Sequence, residues 1–225
     1  MQSLIRFAMR ATVVLLALLV LTWAGFFVVY HHPAPAPVLA GELEPIQLPA
    51  PQTSGGMPLL EALAQRRTTR AFRDQPLDPQ TLSNLLWAAF GVNRPRSVKP
   101  GLGRTAPSAM NSQDIELDVV LAQGAYVYDA EHNLLRPLRS GDLRAKISPA
   151  PAAHAAVTIV YVAPAKDDFA QVDVGFIGQN VYLFAASQDL NAWFYTFHAE
   201  DVAAVLGLPA DRRPLYGQSV GYPPQ

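Results

Sequence analysis

The chain has no cysteine among its 225 residues, and that one absence removes disulfides, thiolate metal sites and thiol nucleophiles together. It also fits an oxidising compartment. An excess of one charge is missing too. Seventeen Lys and Arg against 18 Asp and Glu leave a formal net charge of −1, so no basic field argues for nucleic acid as a partner. The histidines His31, His32, His132, His154 and His198 are scattered without metal-ligand spacing, and no metal is expected. Gly101-Leu102-Gly103 lacks the third glycine of a dinucleotide loop, and no Gly-x-Ser-x-Gly marks a hydrolase. Asp167-Asp168 reads as a helix cap rather than as a catalytic pair of acids.

What is present begins with a long apolar run. Ala11 to Tyr30 carries no charge, and its length matches a helix crossing the hydrocarbon core of a bilayer. Arg6 and Arg10 precede it, and no Lys or Arg follows until Arg66. Positive charge kept inside then predicts residues 1–32 as an inner-membrane anchor crossing once, with a cytoplasmic N-terminus and the body in the periplasm or outside. A cleaved signal peptide is the rival reading, because Val38-Leu39-Ala40 has the small-residue spacing a signal peptidase prefers. Residues 33–56 hold Pro33, Pro35, Pro37, Pro45, Pro49 and Pro51, a density that blocks helix and predicts an extended, semi-rigid linker. The domain is expected to cover 57–225. Half of the whole chain is hydrophobic, which supplies a core for one domain of that size.

Within the body, helical and strand patterns mix. Pro58 to Gln65 reads as a short helix with Leu59, Leu60 and Leu63 on one face. Asp78-Pro79 opens a second helix that Gly91 ends, with Leu82, Leu85, Leu86, Ala89 and Phe90 at core spacing. Asn93 to Gly103 reads as loop. Strands are expected at Ile115 to Ala122, Val157 to Val162, Ala192 to Tyr195 and Leu215 to Gly221. A hairpin joins Ala125 to Tyr128 with Asn133 to Arg136. The longest helical pattern runs from Phe169 to Gln188, and a shorter one from Asp201 to Leu206. Together these predict an α+β fold, a mixed sheet flanked by helices, with the N-terminal transmembrane helix added to it.

Two stretches carry candidate chemistry. In Arg66-Arg67-Thr68-Thr69-Arg70-Ala71-Phe72 the guanidinium forks match phosphate oxygens, and positions 66, 68 and 70 share a side if the segment is extended. The same cluster also fits a basic helix end favoured by the dipole. In Arg104-Thr105-Ala106-Pro107-Ser108-Ala109-Met110-Asn111-Ser112-Gln113, Asn111 offers a donor and an acceptor to a heteroaromatic edge, and Gln113 can do similar work. An ordinary turn whose Asn bonds its own backbone is the alternative there.

These segments, in this order, resemble the FMN-dependent nitroreductase family. Arg66 to Phe72 is similar to the family's Arg-x-Ser-x-Arg/Lys-x-Phe signature, with Thr68 in place of Ser, and Pro107 to Gln113 matches its Pro-Ser-x-x-Asn-x-Gln turn. Asp173 to Ala186 is similar to its long Asp-x-Gly-x-x-x-Gln-Asn-x-x-Leu-x-Ala-Ala helix, and Gln218 to Pro223 to its closing strand. The run Arg-Thr-Ala-Pro-Ser-Ala, with Val220-Gly221-Tyr222-Pro223, looks closer to the thiazoline-oxidase-like dehydrogenase branch than to the soluble nitro-compound reductases.

The resemblance implies an oxidoreductase acting on a small-molecule substrate, with FMN at the interface of an intertwined homodimer and no protein nucleophile. By position, Arg66 and Thr68 hold the phosphate and ribityl chain, with Arg67 beside them, and Arg70 tunes the ring. Pro107, Ser108, Ala109, Asn111 and Gln113 line it, with Asn111 on the pyrimidine edge. Two departures stand out. Many members carry a basic pair after the Gly-Tyr strand, where this sequence reads Gly221-Tyr222-Pro223-Pro224-Gln225, so Arg67, Arg104, Arg212 and Arg213 are candidates to compensate. A Gly-containing stretch that meets the flavin is replaced by Phe194-Tyr195-Thr196-Phe197, read as core before substrate platform. Both departures keep an alternative open, a non-catalytic relative with weak or lost flavin binding that serves as a binding or structural module.

Overall fold

The second predicted helix shows how locally its residues act. In a computed structural model describing residues 43–94 and 103–224, Asp78 Oδ1 accepts from the amides of Gln80 (3.0 Å) and Thr81 (2.9 Å), and Pro79 takes the first helical position. The helix ends where Gly91 N–H donates to Trp87 O at 2.8 Å. We number the described helices α1 (Leu59–Gln65), α2 (Pro79–Phe90), α3 (Arg144–Ile147), α4 (Ala170–Ser187) and α5 (Ala199–Leu206). The strands are β1 (Ile46–Gln47), β2 (Val92–Arg94), β3 (Gly103–Arg104), β4 (Glu116–Leu121), β5 (Gly124–Asp129), β6 (Leu134–Ser140), β7 (Val157–Pro164), β8 (Asn191–Tyr195) and β9 (Arg212–Gly221).

Seven strands form one sheet in the order β1-β6-β5-β4-β7-β9-β8. Alternation along each strand divides its side chains between two cores. Leu117, Val119, Ile159 and Tyr161 face the larger core with Leu85, Leu86 and Phe90 of α2 and Val174, Ile177 and Val181 of α4. Val120, Val127, Val160 and Val162 face a smaller one with Ile147 of α3 and Val202 and Leu206 of α5. Each such fully buried aliphatic side chain contributes roughly 1.5–3 kcal/mol. All the described residues belong to a unit spanning Pro37–Gln225.

The α+β class with flanking helices holds, and the expected helices and strands appear with ends shifted by a few residues. Other expectations are corrected. Neighbouring strands among the described residues pair antiparallel, and β7 and β8, joined through α4, run in the same direction with β9 inserted between them. The linker reading fails from Leu43 onward. Ile46 and Gln47 pair with Leu135 and Leu134, Leu48 is buried, and Pro49 O accepts from Ser83 Oγ (2.6 Å) and Asn133 Nδ2 (2.7 Å). This proline-rich strap covers the β6 edge, so the folded body starts no later than Leu43. The predicted anchor lies outside the described residues, among which no helix is long and apolar enough to cross a membrane. Leu59, Leu60 and Leu63 share a face of α1, but they are exposed by 63%, 80% and 44%.

Candidate functional site

After α1 the chain leaves the helix at Arg66 (φ −57°, ψ 121°) and runs extended beside edge strand β8 and the end of β9. Thr69 N–H donates to Ala192 O (2.9 Å), Ala192 N–H donates to Thr69 Oγ1 (3.0 Å), and Arg73 N–H donates to Tyr222 O (3.0 Å). Asn191 Nδ2 donates to Ala71 O at 2.6 Å. With Thr69 and Ala71 used on the β8 edge, Arg66 and Thr68 turn to α4, where both meet Tyr182. The Arg66 guanidinium lies 5.3 Å from the Tyr182 ring centroid, and Thr68 Oγ1 is 3.0 Å from the phenol oxygen. Arg70 lies instead over Trp193 (5.3 Å), and Arg73 over Tyr222 (5.5 Å). Arg67 is exposed and lines a cleft of about 200 Å³ with Gln65, Thr69, Tyr182, Asp189 and Pro223.

Among the described residues no carboxylate forms an ion pair with Arg66, Arg67, Arg70 or Arg73. Three of these four arginines, Arg66, Arg70 and Arg73, lie on aromatic faces, and Asp189 is the acid on the cleft wall near Arg67. Such an array suits an anion with several oxygens.

The second stretch folds against the other end of α4. Ala109 N–H donates to the buried Asp173 Oδ1 at 2.8 Å, and burial holds the Asp173 carboxyl above its ordinary pKa. Gln113 N–H donates to Ser108 Oγ (3.1 Å), which closes the turn behind Pro107. Arg104 Nε donates to Gln113 Oε1 (3.1 Å), and Gln113 Nε2 donates to Asn111 Oδ1 (2.9 Å), a relay that orients the Asn111 carboxamide. Met110 (φ 54°), Asn111 (φ 59°) and Gln113 (φ 53°) are all left-handed. Non-glycine residues in that region cost on the order of 1 kcal/mol each, and such strain collects at functional sites.

The structure therefore assembles each predicted group, Arg66 to Arg70 and Pro107 to Gln113, but holds them at opposite ends of one helix. Tyr182 lies nine residues beyond Asp173, about 14 Å along the axis at 1.5 Å per residue. Of the candidate compensating arginines, Arg67 alone lies on the cleft. Arg104 also donates to Phe90 O (3.1 Å), Arg212 pairs with Glu116 (3.7 Å), and Arg213 donates to Asp167 O (3.2 Å). Arg212 starts β9, roughly 30 Å of strand from Gly221. Phe194 packs on Tyr161 and Tyr216, and Tyr195 is buried, as the core reading expects. Asp167 Oδ1 accepts from Phe169 N–H (2.9 Å) in a turn ahead of α4, but the N-cap residue is Phe169, which makes no side-chain cap bond, so the helix-cap reading of Asp167-Asp168 is corrected.

Sequence reasoning missed Tyr182, Trp193 and Arg73. Their signal was weak: an aromatic hydroxyl or indole in an apolar pattern needs a polar partner, but the pattern does not say which one.

The model of the nitroreductase family matches residues 63–222 of the chain. The chain belongs to the nitroreductase family. A crystal structure from Ralstonia eutropha, provisionally named a nitroreductase, is 33% identical with a TM-score of 0.75, and the match covers 87% of this chain and 97% of that one. A protein of Methanocaldococcus jannaschii, also provisionally named a nitroreductase, is 30% identical over 169 residues, covering 67% of this chain and 82% of its own length. At the level of fold alone, the chain is similar to a structure of the Escherichia coli microcin synthetase McbBCD complex with truncated pro-MccB17 bound. That match has 18% identity and a TM-score of 0.59, and covers 88% of this chain and 86% of the other. Nitroreductases are in general flavin oxidoreductases that bind FMN, act on small molecules and are commonly homodimers.

Proposed function

We propose that this protein is an FMN-dependent oxidoreductase that works as a homodimer on a small-molecule substrate. The observation carrying this reading is a cleft of about 200 Å³ lined by Arg67 and Tyr182, with Arg66 over the Tyr182 ring and neither arginine paired with an acid among the described residues. A family member that had lost its anionic cofactor has no evident use for such an array, so it speaks against the non-catalytic alternative.

In this reading Arg66, Arg67 and Thr68 bind the phosphate end, and Arg70 places positive charge near the ring. Asn111, oriented through Gln113 and Arg104, offers its carboxamide to the ring edge with Pro107, Ser108 and Ala109 around it. Bound FMN supplies hydride transfer through N5. The protein contributes orientation and a fixed positive field that favours the reduced, more negative cofactor. The two groups stand at opposite ends of α4, and exposed apolar side chains lie beside each: Leu59 and Leu60 on α1, and Met110, Val172 and Phe176 at the other end. A second copy covering these faces brings its own turn to the arginine group, which supports a site shared between protomers.

The physiological setting is part of the proposal. The apolar run at 11–30 tethers the domain to a membrane with the body on the exported side. There the nicotinamide pool of the cytoplasm is out of reach, so quinone, a redox protein or the substrate itself exchanges the electrons. The Arg-Thr-Ala-Pro-Ser-Ala run supports the thiazoline-oxidase-like dehydrogenase branch. The test is a flavin titration of the purified full-length chain: saturable FMN binding with a reducible visible spectrum is expected, and none overturns the reading.

A further inference from the structure

Tyr182 joins three elements through one side chain. It projects from the C-terminal half of α4, at a half-buried position in an otherwise apolar run. Its phenol oxygen accepts from Phe194 N–H of edge strand β8 at 2.9 Å and lies 3.0 Å from Thr68 Oγ1, while its ring lies 5.3 Å under the Arg66 guanidinium. It also forms part of the cleft wall with Arg67 and Thr69.

Valence fixes one donor of the three groups. A backbone N–H can only donate, so the contact with Phe194 uses an acceptor site of the phenol. Either hydroxyl can donate in the pair with Thr68, and we take the phenol proton as the one given to Thr68 Oγ1. Accepting one bond while donating another strengthens both. Thr68 Oγ1, satisfied as an acceptor, then has its own proton to give. A leucine at 182 could fill the volume, but it would orient neither Thr68 nor Arg66 and would leave Phe194 N–H without this acceptor.

We propose that Tyr182 is a positioning residue for the phosphate end of the flavin, turning the Thr68 hydroxyl proton and the Arg66 guanidinium toward one anion. The inference rests on the FMN reading above and adds to it a residue that acts through Thr68 and Arg66. Tyr182 acts through the groups that bind the phosphate, so its effect belongs to FMN and not to riboflavin, which lacks that phosphate.

The test uses the full-length protein and its Tyr182→Phe, Thr68→Val and doubly substituted forms, each titrated with FMN and with riboflavin. Losing an oriented hydrogen bond to an anion should weaken FMN binding by Tyr182→Phe roughly five- to tenfold while riboflavin stays within about twofold. Thr68→Val alone, which leaves Phe194 bonded to the phenol, should lower the same ratio. In the Thr68→Val background, Tyr182→Phe should add little. An unchanged FMN-to-riboflavin ratio in either single variant, or losses that multiply in the double variant, overturns the proposal. Absence of flavin binding by the unaltered protein sinks the FMN reading and this inference together. Binding by the unaltered protein with an unchanged ratio in Tyr182→Phe sinks this inference alone.

Discussion

Ala109 N–H donates to Asp173 Oδ1 at 2.8 Å, and this bond ties the turn bearing Asn111 to the first turn of α4. Asp173→Ala leaves that amide unpaired and releases a turn with three left-handed residues. The expected loss is about 1–3 kcal/mol of stability, together with weaker FMN binding. Asp173→Asn retains an acceptor and removes a charge that burial disfavours, so its stability should stay near that of the parent. Urea unfolding and FMN titration of both variants check this, and an alanine variant that binds as tightly as the parent refutes the anchoring role.

Asp118 gives a pH dependence with a definite sign. It lies fully buried in β4, neither carboxylate oxygen has a hydrogen-bond partner among the described residues, and desolvation pushes its pKa well above the ordinary value, with Glu116 adding to the rise and Arg212 opposing it. The folded state therefore holds the Asp118 proton more tightly than the unfolded chain does. Stability from this site is full below the unfolded pKa of about 3.9 and is lost as pH rises toward the folded value, by at most ~1.4 kcal/mol per pH unit. Asp118→Val should therefore be more stable than the parent at pH 7, with the gap narrowing toward pH 4. Urea unfolding across that range measures it, and a gap independent of pH contradicts the assignment.

These two acids also mark how far the sequence could be read. Helix α2 was legible because Asp78, Pro79 and Gly91 act within a few residues of themselves. The strands were legible because alternation is local. The docked strap was not: proline density at Pro45, Pro49 and Pro51 indicates an extended chain, but Ser83 and Asn133, which capture it, are far away in sequence. Periodicity put Leu59, Leu60 and Leu63 on one face without saying that the face would be left uncovered in a single chain. The site divides in the same way. Arg66, Thr68 and Asn111 stood in recognisable runs, whereas Tyr182 meets Thr68 across 114 residues. Met110 and Gln113 are not residues that announce positive φ.

Arg70 is assigned a role in tuning the cofactor. Its guanidinium lies 5.3 Å from the Trp193 ring centroid and has no acid partner among the described residues. Arg70→Ala should lower the reduction potential of bound FMN and weaken its binding, because a positive charge beside the reduced ring is lost. Spectroscopic redox titration reads this directly. A potential equal to that of the parent removes the role.

The exposed apolar face predicts self-association. Phe176 is 42% exposed, Val172 51% and Met110 84%, a set of side chains that a second copy would cover. A charge buried at such a contact without a partner disfavours assembly by several kcal/mol, so Phe176→Asp should yield monomers that bind FMN poorly. Light scattering after size exclusion tests the first part and FMN titration the second. A Phe176→Asp protein that remains dimeric and flavin-bound would falsify the shared-site reading.

The most direct measurement of the central claim is a spectroscopic and thermal titration of the purified full-length chain with FMN. The account predicts visible flavin absorption that stays with the protein through gel filtration and bleaches when a reductant is added. It also predicts thermal stabilisation that grows with FMN, by about 2.7 kcal/mol at one hundred times the dissociation constant. A protein that retains no flavin and melts at the same temperature with and without excess FMN contradicts it.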